Sequence, residues 1–346
     1  MIQQDYYHSG DIELECGKVL KGINIRYHTS APSPQGRRVI WICHALTANS
    51  NPQEWWDRLV GPGLFFDTER YYIICANALG SCYGTTGPSS SPGNPVSSPF
   101  NREEDAYKLN FPLITTRDLV KAHELLREHL GITSIDLLIG GSNGGYQAVE
   151  WAISNPKLIK NLVLIATGAI ASPWLSAINA AQVMALEADS TFKEQRSLSG
   201  GRAGLEAARS MALISYRNYR GYALTQREED ENCLIATKAE SYQRYQGKKL
   251  SARFDAYSYY SLLRGTDTHN VGRRRGGLSA ALGRITAKTL CIAIESDVLF
   301  PIEELKALAN AIPDASLEVI NSNFGHDGFL LEDEQIAKAI SDHLEI

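Results

Sequence analysis

The stretch Ile135-Asp136-Leu137-Leu138-Ile139-Gly140-Gly141-Ser142-Asn143-Gly144-Gly145 decides the fold. Its first five residues are an apolar run of strand character. From Gly145 to Ser154 the pattern is helical, and it stops at Asn155-Pro156. Between strand and helix lies Gly-x-Ser-x-Gly, which alone is unspecific because five-residue matches arise by chance. Its position carries the meaning. A sharp strand-to-helix turn forces the serine into a strained backbone, and glycines two residues to either side remove the Cβ atoms that would clash. The Ser142 hydroxyl is then held near a helix N-terminus, where the dipole favours developing negative charge. The competing reading is a glycine-rich turn without chemistry.

Working outward, further apolar runs read as buried parallel strands: Val39–Cys43, Tyr71–Cys75, Leu162–Ile165, Thr289–Ile294 and Leu317–Ile320. Thr116 to Leu130 puts Leu119, Val120, Ala122, His123, Leu126 and Leu130 near one helical face, and Gly131 stops it. Strand–helix alternation implies a doubly wound, mainly parallel α/β sheet, and the serine turn makes it the α/β-hydrolase fold. The alternation breaks between about 172 and 285, where Ala, Arg, Tyr, Glu and Gln dominate. The predicted organisation is an α/β core over 1–171 and 286–346 with a helical lid insertion over 172–285. Leu79 to Asn101 is crowded with Gly, Pro and Ser, a long loop of functional or disordered character.

Composition narrows the function classes. The 346 residues carry 34 Lys and Arg against 39 Asp and Glu, a net charge of −5 that argues against nucleic-acid or anionic-membrane partners. The basic run Arg273-Arg274-Arg275 reads as a solvated loop. No stretch approaches the roughly 20 apolar residues of a membrane span, and Met1 to Glu15 has no signal-peptide core. Six cysteines at this length make no disulfide framework, and none has metal-ligand spacing. A cytoplasmic enzyme without metal is expected.

Serine needs a base, and in this fold the acid and then the histidine follow it in the chain. His326, in Asn323-Phe324-Gly325-His326-Asp327-Gly328 after the last strand, suits the base better than His269 or His343. Asp297, directly after the Thr289–Ile294 strand, is the preferred acid, with Glu295 the fallback. The oxyanion hole needs two backbone donors, expected from Asn143 and from Leu46 in Cys43-His44-Ala45-Leu46-Thr47. His44 is read as a brace for that loop rather than a second catalytic histidine.

These residues and others in order along nearly the whole chain resemble the homoserine O-acetyltransferase family. The resemblance runs through His44-Ala45-Leu46-Thr47, Trp55-Trp56-Asp57, Cys82-Tyr83-Gly84-Thr85-Thr86-Gly87-Pro88, Phe111-Pro112-Leu113-Ile114-Thr115-Thr116-Arg117-Asp118, Gly140-Gly141-Ser142, Ser215-Tyr216-Arg217, Arg253-Phe254-Asp255, Leu299-Phe300-Pro301 and Gly325-His326-Asp327. It implies a Ser142, Asp297 and His326 triad. It also implies Arg209 on the homoserine carboxylate, Asp327 on its amino group and Tyr216 lining the pocket. Arginine grips a carboxylate bidentately, which suits a zwitterionic substrate. The resemblance implies acetyl-CoA as co-substrate, no permanently bound cofactor, methionine biosynthesis, and a homodimer through the lid helices. Asn143 stands where the family usually has Met. A serine esterase, or an acyltransferase for another hydroxy amino acid or for succinyl-CoA, is the alternative.

Overall fold

Six of the apolar runs become the six parallel strands of one sheet. The structure is a computed structural model describing residues 1–99, 101, 105–230, 232–235 and 237–345; Phe100, within the Leu79–Asn101 loop, lies outside the described residues. In chain order the strands are β1 (Ile2–Glu13), β2 (Val19–Thr29), β3 (Val39–Cys43), β4 (Val60–Gly61), β5 (Phe66–Asp67), β6 (Tyr72–Ala76), β7 (Ile135–Gly141), β8 (Ile159–Ile165), β9 (Lys288–Ile294) and β10 (Ala315–Ile320). The main sheet has the order β1-β2-β6-β3-β7-β8-β9-β10, and β4 with β5 forms a small separate ribbon. All neighbours from β6 to β10 pair in parallel, while β1 and β2 are antiparallel additions at one edge.

The core lies on both sheet faces, as a parallel sheet requires. Alternation along β3 sends Trp41 and Cys43 to one apolar cluster and Ile40 and Ile42 to the other. On the first face Trp41 meets Trp151 edge-on, with ring centroids 4.8 Å apart. Helices α1 (Thr116–His129) and α2 (Asn143–Ser154) connect β6 to β7 and β7 to β8. A reciprocal capping box starts α1: the Thr115 hydroxyl accepts from the Asp118 amide, and the Asp118 carboxylate accepts from the Thr115 amide.

Between β8 and β9 the chain forms α3 (Pro173–Ala188), α4 (Ser190–Glu194), α5 (Arg202–Tyr216), α6 (Tyr219–Thr225), α7 (Lys238–Ser251), α8 (Ala256–Asp267) and α9 (Leu278–Leu282). After β9 come α10 (Ile302–Ala311), α11 (Gly328–Leu331) and α12 (Asp333–His343). Among the described residues no helix is long and apolar enough to cross a membrane, and no cluster of His, Cys, Asp and Glu is arranged to hold a metal ion.

The basic run departs from its sequence reading. Arg273 pairs with Glu15 at 2.8 Å, and Arg275 pairs with the buried Glu150 at 2.5 Å. Glu15 also pairs with Arg117 at 2.9 Å. Charge-assisted pairing with acids from the β1–β2 hairpin and from α2 outweighs solvation, so two of the three arginines tie the loop before α9 to the core.

Candidate active site

The β7–α2 turn is built by close backbone approach. Ser142 has φ 56° and ψ −125°, the left-handed region that L-residues occupy only under constraint. A Cβ on Gly140 would stand 2.2 Å from the Gly144 carbonyl oxygen, and one on Gly144 would stand 2.1 Å from that of Cys43. The glycines are therefore required by packing between β3, β7 and α2. The Ser142 amide donates to the Ile165 carbonyl at 2.9 Å, and its carbonyl accepts from the Thr167 hydroxyl at 2.8 Å.

The chain brings His326 and Asp297 to this serine. His326 Nε2 lies 2.8 Å from Ser142 Oγ, and Nδ1 lies 2.7 Å from Asp297 Oδ2. Both His326 and Asp297 are buried. The other Asp297 oxygen accepts the Leu299 and Phe300 amides at 2.8 and 3.0 Å, which fixes the carboxylate toward the imidazole. Ser296 joins the two loops: its hydroxyl donates to the Ser322 carbonyl and accepts the Gly325 amide. Glu295, the fallback acid, instead lines a surface groove beside α6.

The loop after β3 is held by His44. Its Nε2 accepts the Ala78 amide at 2.9 Å, so Nδ1 carries the proton and donates to the Ala45 carbonyl at 2.8 Å. Burial pushes its pKa down to about 4, so the ring stays neutral and bracing. Gln147 on α2 donates to the His44 carbonyl at 3.2 Å, and Arg253 donates to the Thr47 carbonyl at 2.8 Å. These contacts hold Leu46 at the wall of the serine site, which Asn143 at the start of α2 also lines.

A cavity of about 310 Å³ opens above Ser142 and His326. The charged groups that line it are Glu54, Arg209, Arg253 and Asp327, and Tyr216 lines it too. Arg209 lies over the Tyr216 ring with 5.2 Å to its centroid, and that ring stands 5.7 Å from the His326 ring. Burial raises the Tyr216 pKa, partly offset by Arg209, so the phenol remains neutral.

Known proteins resemble the chain throughout. The family model for the alpha/beta hydrolase fold matches residues 38–333. A homoserine O-acetyltransferase of Cyclobacterium marinum is 40% identical over 338 residues, covering 97% of this chain and 93% of its own. The chain belongs to the homoserine O-acetyltransferase family. Among solved structures, homoserine O-acetyltransferase from Bacillus anthracis matches with TM-score 0.87 at 22% identity, over 100% of this chain and 98% of its own. Esterase E22 matches with TM-score 0.84 at 22% identity, over 99% of this chain and 100% of its own. At those identities the two structures speak for the α/β-hydrolase fold, which acyltransferases and esterases share.

Within this family member, Ser142, His326, Leu46, Asn143, Arg209, Tyr216 and Asp327 line one cavity or its smaller neighbour beside Ser142, while Asp297 stands behind His326. Asp327 has a partner that the sequence reading left without a role: Arg217 Nη1 lies 2.8 Å from its Oδ2. Burial raises the Asp327 pKa, while Arg217, Arg209 and His326 pull it down. Thr266 of α8 was also missed. The Asn143 side-chain amide donates to its hydroxyl at 2.7 Å. The signal available for Arg217 was its place in Ser215-Tyr216-Arg217; Thr266 offers none, because only the fold brings α8 over the elbow.

Proposed function

We propose that the protein is a homoserine O-acetyltransferase that carries an acetyl group from acetyl-CoA to the hydroxyl of L-homoserine through an acetyl-serine. The observation that carries the reading is one cavity lined by Ser142 and His326, with Asp297 bonded behind the imidazole, and by a cation and an anion, Arg209 and Asp327.

In the first half-reaction Ser142 Oγ passes its proton to His326 Nε2 as it bonds to the thioester carbonyl. The amides of Leu46 and Asn143 take the oxyanion, each worth roughly 3 kcal/mol in comparable sites. The carbon–sulfur bond breaks, and the CoA sulfur takes the proton from His326. In the second half-reaction His326 takes the proton of the homoserine hydroxyl as that oxygen attacks the acetyl-serine. Collapse releases O-acetylhomoserine and returns the proton to Ser142. Asp297 holds the imidazole and stabilises its charged form.

Arg209 binds the homoserine carboxylate, with Tyr216 beneath it. Asp327, whose charged form Arg217 favours against the opposing effect of burial, binds the ammonium. The helices from 172 to 285 form a lid that excludes water, which transfer needs if it is to beat hydrolysis. CoA enters as co-substrate, and no cofactor stays bound. Exposed Met184, Met211, Ile214 and Leu224 on α3, α5 and α6 support a homodimer through this insertion. The reading places the enzyme in methionine biosynthesis in the cytoplasm.

The test follows CoA release from acetyl-CoA with and without L-homoserine. Release should rise steeply with homoserine, with O-acetylhomoserine formed in equal amount. Release unaffected by homoserine makes the protein a hydrolase and overturns the proposal.

A further inference from the structure

Two cavities meet at Ser142, and they differ in size and chemistry. The larger, of about 310 Å³, carries the charged groups. The smaller is about 20 Å³, space for about one water-sized group. Leu46, Asn143, Leu175, Gln182, Thr266 and Phe300 are among its walls, and among the described residues no charged side chain lines it. Its polar walls are already engaged. Asn143 donates to the Thr266 hydroxyl at 2.7 Å, and that hydroxyl donates to the Leu262 carbonyl at 2.9 Å. Gln182 Oε1 accepts from the Tyr259 hydroxyl at 2.5 Å, and the Asn179 amide donates to Asp267 at 2.8 Å.

We propose that the smaller cavity receives the acyl chain carried on Ser142, and that the Asn143–Thr266 pair closes it at two carbons. The inference rests on acylation of Ser142 as read above and names what sets acyl length. An acyl oxygen aimed at the Leu46 and Asn143 amides leaves two directions for the remaining substituents. The acceptor amino acid needs the charged cavity, so the alkyl end turns into the small one, which Leu46 and Asn143 also line. An acetyl methyl fills it. A further methylene presses on the Asn143–Thr266 bridge or on Leu175. A succinyl carboxylate would lose its water and find neither a cation nor a free donor. The bridge runs from α2 to α8, so acyl length is also coupled to where the insertion sits over the elbow.

Acylation by p-nitrophenyl acetate, propionate and butyrate, read as the p-nitrophenolate burst and as the mass added to Ser142, tests this without homoserine or CoA. The wild-type rate constant should fall at least about tenfold from acetate to propionate, and again to butyrate. Thr266→Ala, which enlarges the cavity, should narrow the acetate-to-butyrate ratio at least about tenfold. Thr266→Val, which keeps the volume and removes the hydrogen bond, should keep the wild-type order of esters. Asn143→Ala empties the same space from the α2 side and answers the question if Thr266→Ala does not fold. A wild type that takes butyrate as fast as acetate overturns the inference. So does an unchanged ratio in folded variants whose cavity has been enlarged. Absence of any adduct on Ser142 overturns the acyl-serine reading itself, so the two failures are distinguishable.

Discussion

On the sheet side of the site, backbone meets backbone: a Cβ on Gly144 would stand 2.1 Å from the Cys43 carbonyl oxygen. On the insertion side, side chain meets side chain. Arg209 lies over Tyr216, Arg217 pairs with Asp327, and Thr266 accepts from Asn143. The first wall tolerates almost no change because no rotamer can relieve a backbone clash. The second can lose one contact and keep its helices. The difference separates the chemistry from the choice of substrate. Ser142, His326 and Asp297 follow strand ends, whereas the groups proposed to recognise an amino acid come largely from α5 and the turn after it.

The largest expected effect comes from breaking the sheet-side wall. Gly144→Ala has no way to fit except by moving β3 away from α2, which displaces Ser142 and the Leu46 loop together. The variant should yield no folded protein or, where folded, acylate Ser142 at least about a hundredfold more slowly. Circular dichroism and the p-nitrophenyl acetate burst read the two outcomes. A folded variant of near-normal rate would show that the elbow has more slack than its glycines indicate.

The insertion-side wall should break more gently. Arg209→Ala should raise the homoserine KM about thirtyfold, the low end for truncating one partner of a buried charged contact, with acylation by acetyl-CoA almost unchanged. An unchanged KM refutes its carboxylate role. Arg217→Ala should act more weakly and with a pH signature. Without that cation the Asp327 pKa, already raised by burial, rises further, and a neutral acid cannot hold an ammonium. The KM defect should be greater at lower pH and shrink as rising pH ionises Asp327. A defect that does not vary with pH would show that Arg217 serves packing alone.

The same division explains what was legible in the sequence. Val39–Cys43 is a strand with the bounds that its apolar run indicates, and the other five parallel strands differ by three residues or fewer at either end. Buried parallel strands write themselves as continuous apolar runs. The antiparallel edge does not. β1 exposes or half-exposes nearly all of Ile2–Glu13, and its Gln, Asp, Tyr and His residues form no run. β2 did carry a signal, because Ile23, Ile25 and Tyr27 alternate with Asn24, Arg26 and His28. Ser142, Asp297 and His326 were legible because each follows a strand whose position the pattern reveals. Arg209, Asp327 and Tyr216 came through family resemblance, and the pairing of Asp327 with Arg217 came only with the fold. A side chain on an insertion helix meets its partner through tertiary packing, and local sequence holds no record of that.

The smallest expected effect lies at the seam between the two walls. Glu304, on α10, hydrogen-bonds Ser172, the cap of α3 where the insertion begins. Its carboxylate also crowds Gly168, where a Cβ would stand 2.5 Å from Oε2. Burial, with Asp297 adding to it against the Ser172 hydrogen bond, pushes its pKa from 4.5 up to about 7. The folded protein therefore holds this proton more tightly than the unfolded chain. The resulting stability is complete below about pH 4.5 and is lost as pH rises through about 7. His44 and His269 act in the opposite sense. Burial lowers their pKa from 6.5 to about 4 and about 3, so stability falls as pH drops below about 6.5. Urea midpoints measured from pH 4 to 9 should trace a dome for the wild type. Glu304→Gln should remove the loss of stability that this carboxyl contributes between about pH 4.5 and 7 and leave the histidine contribution in place. If both proteins lose stability alike across that interval, the carboxyl ionises at no cost to the fold, and the seam between sheet and insertion is wetter than its packing indicates.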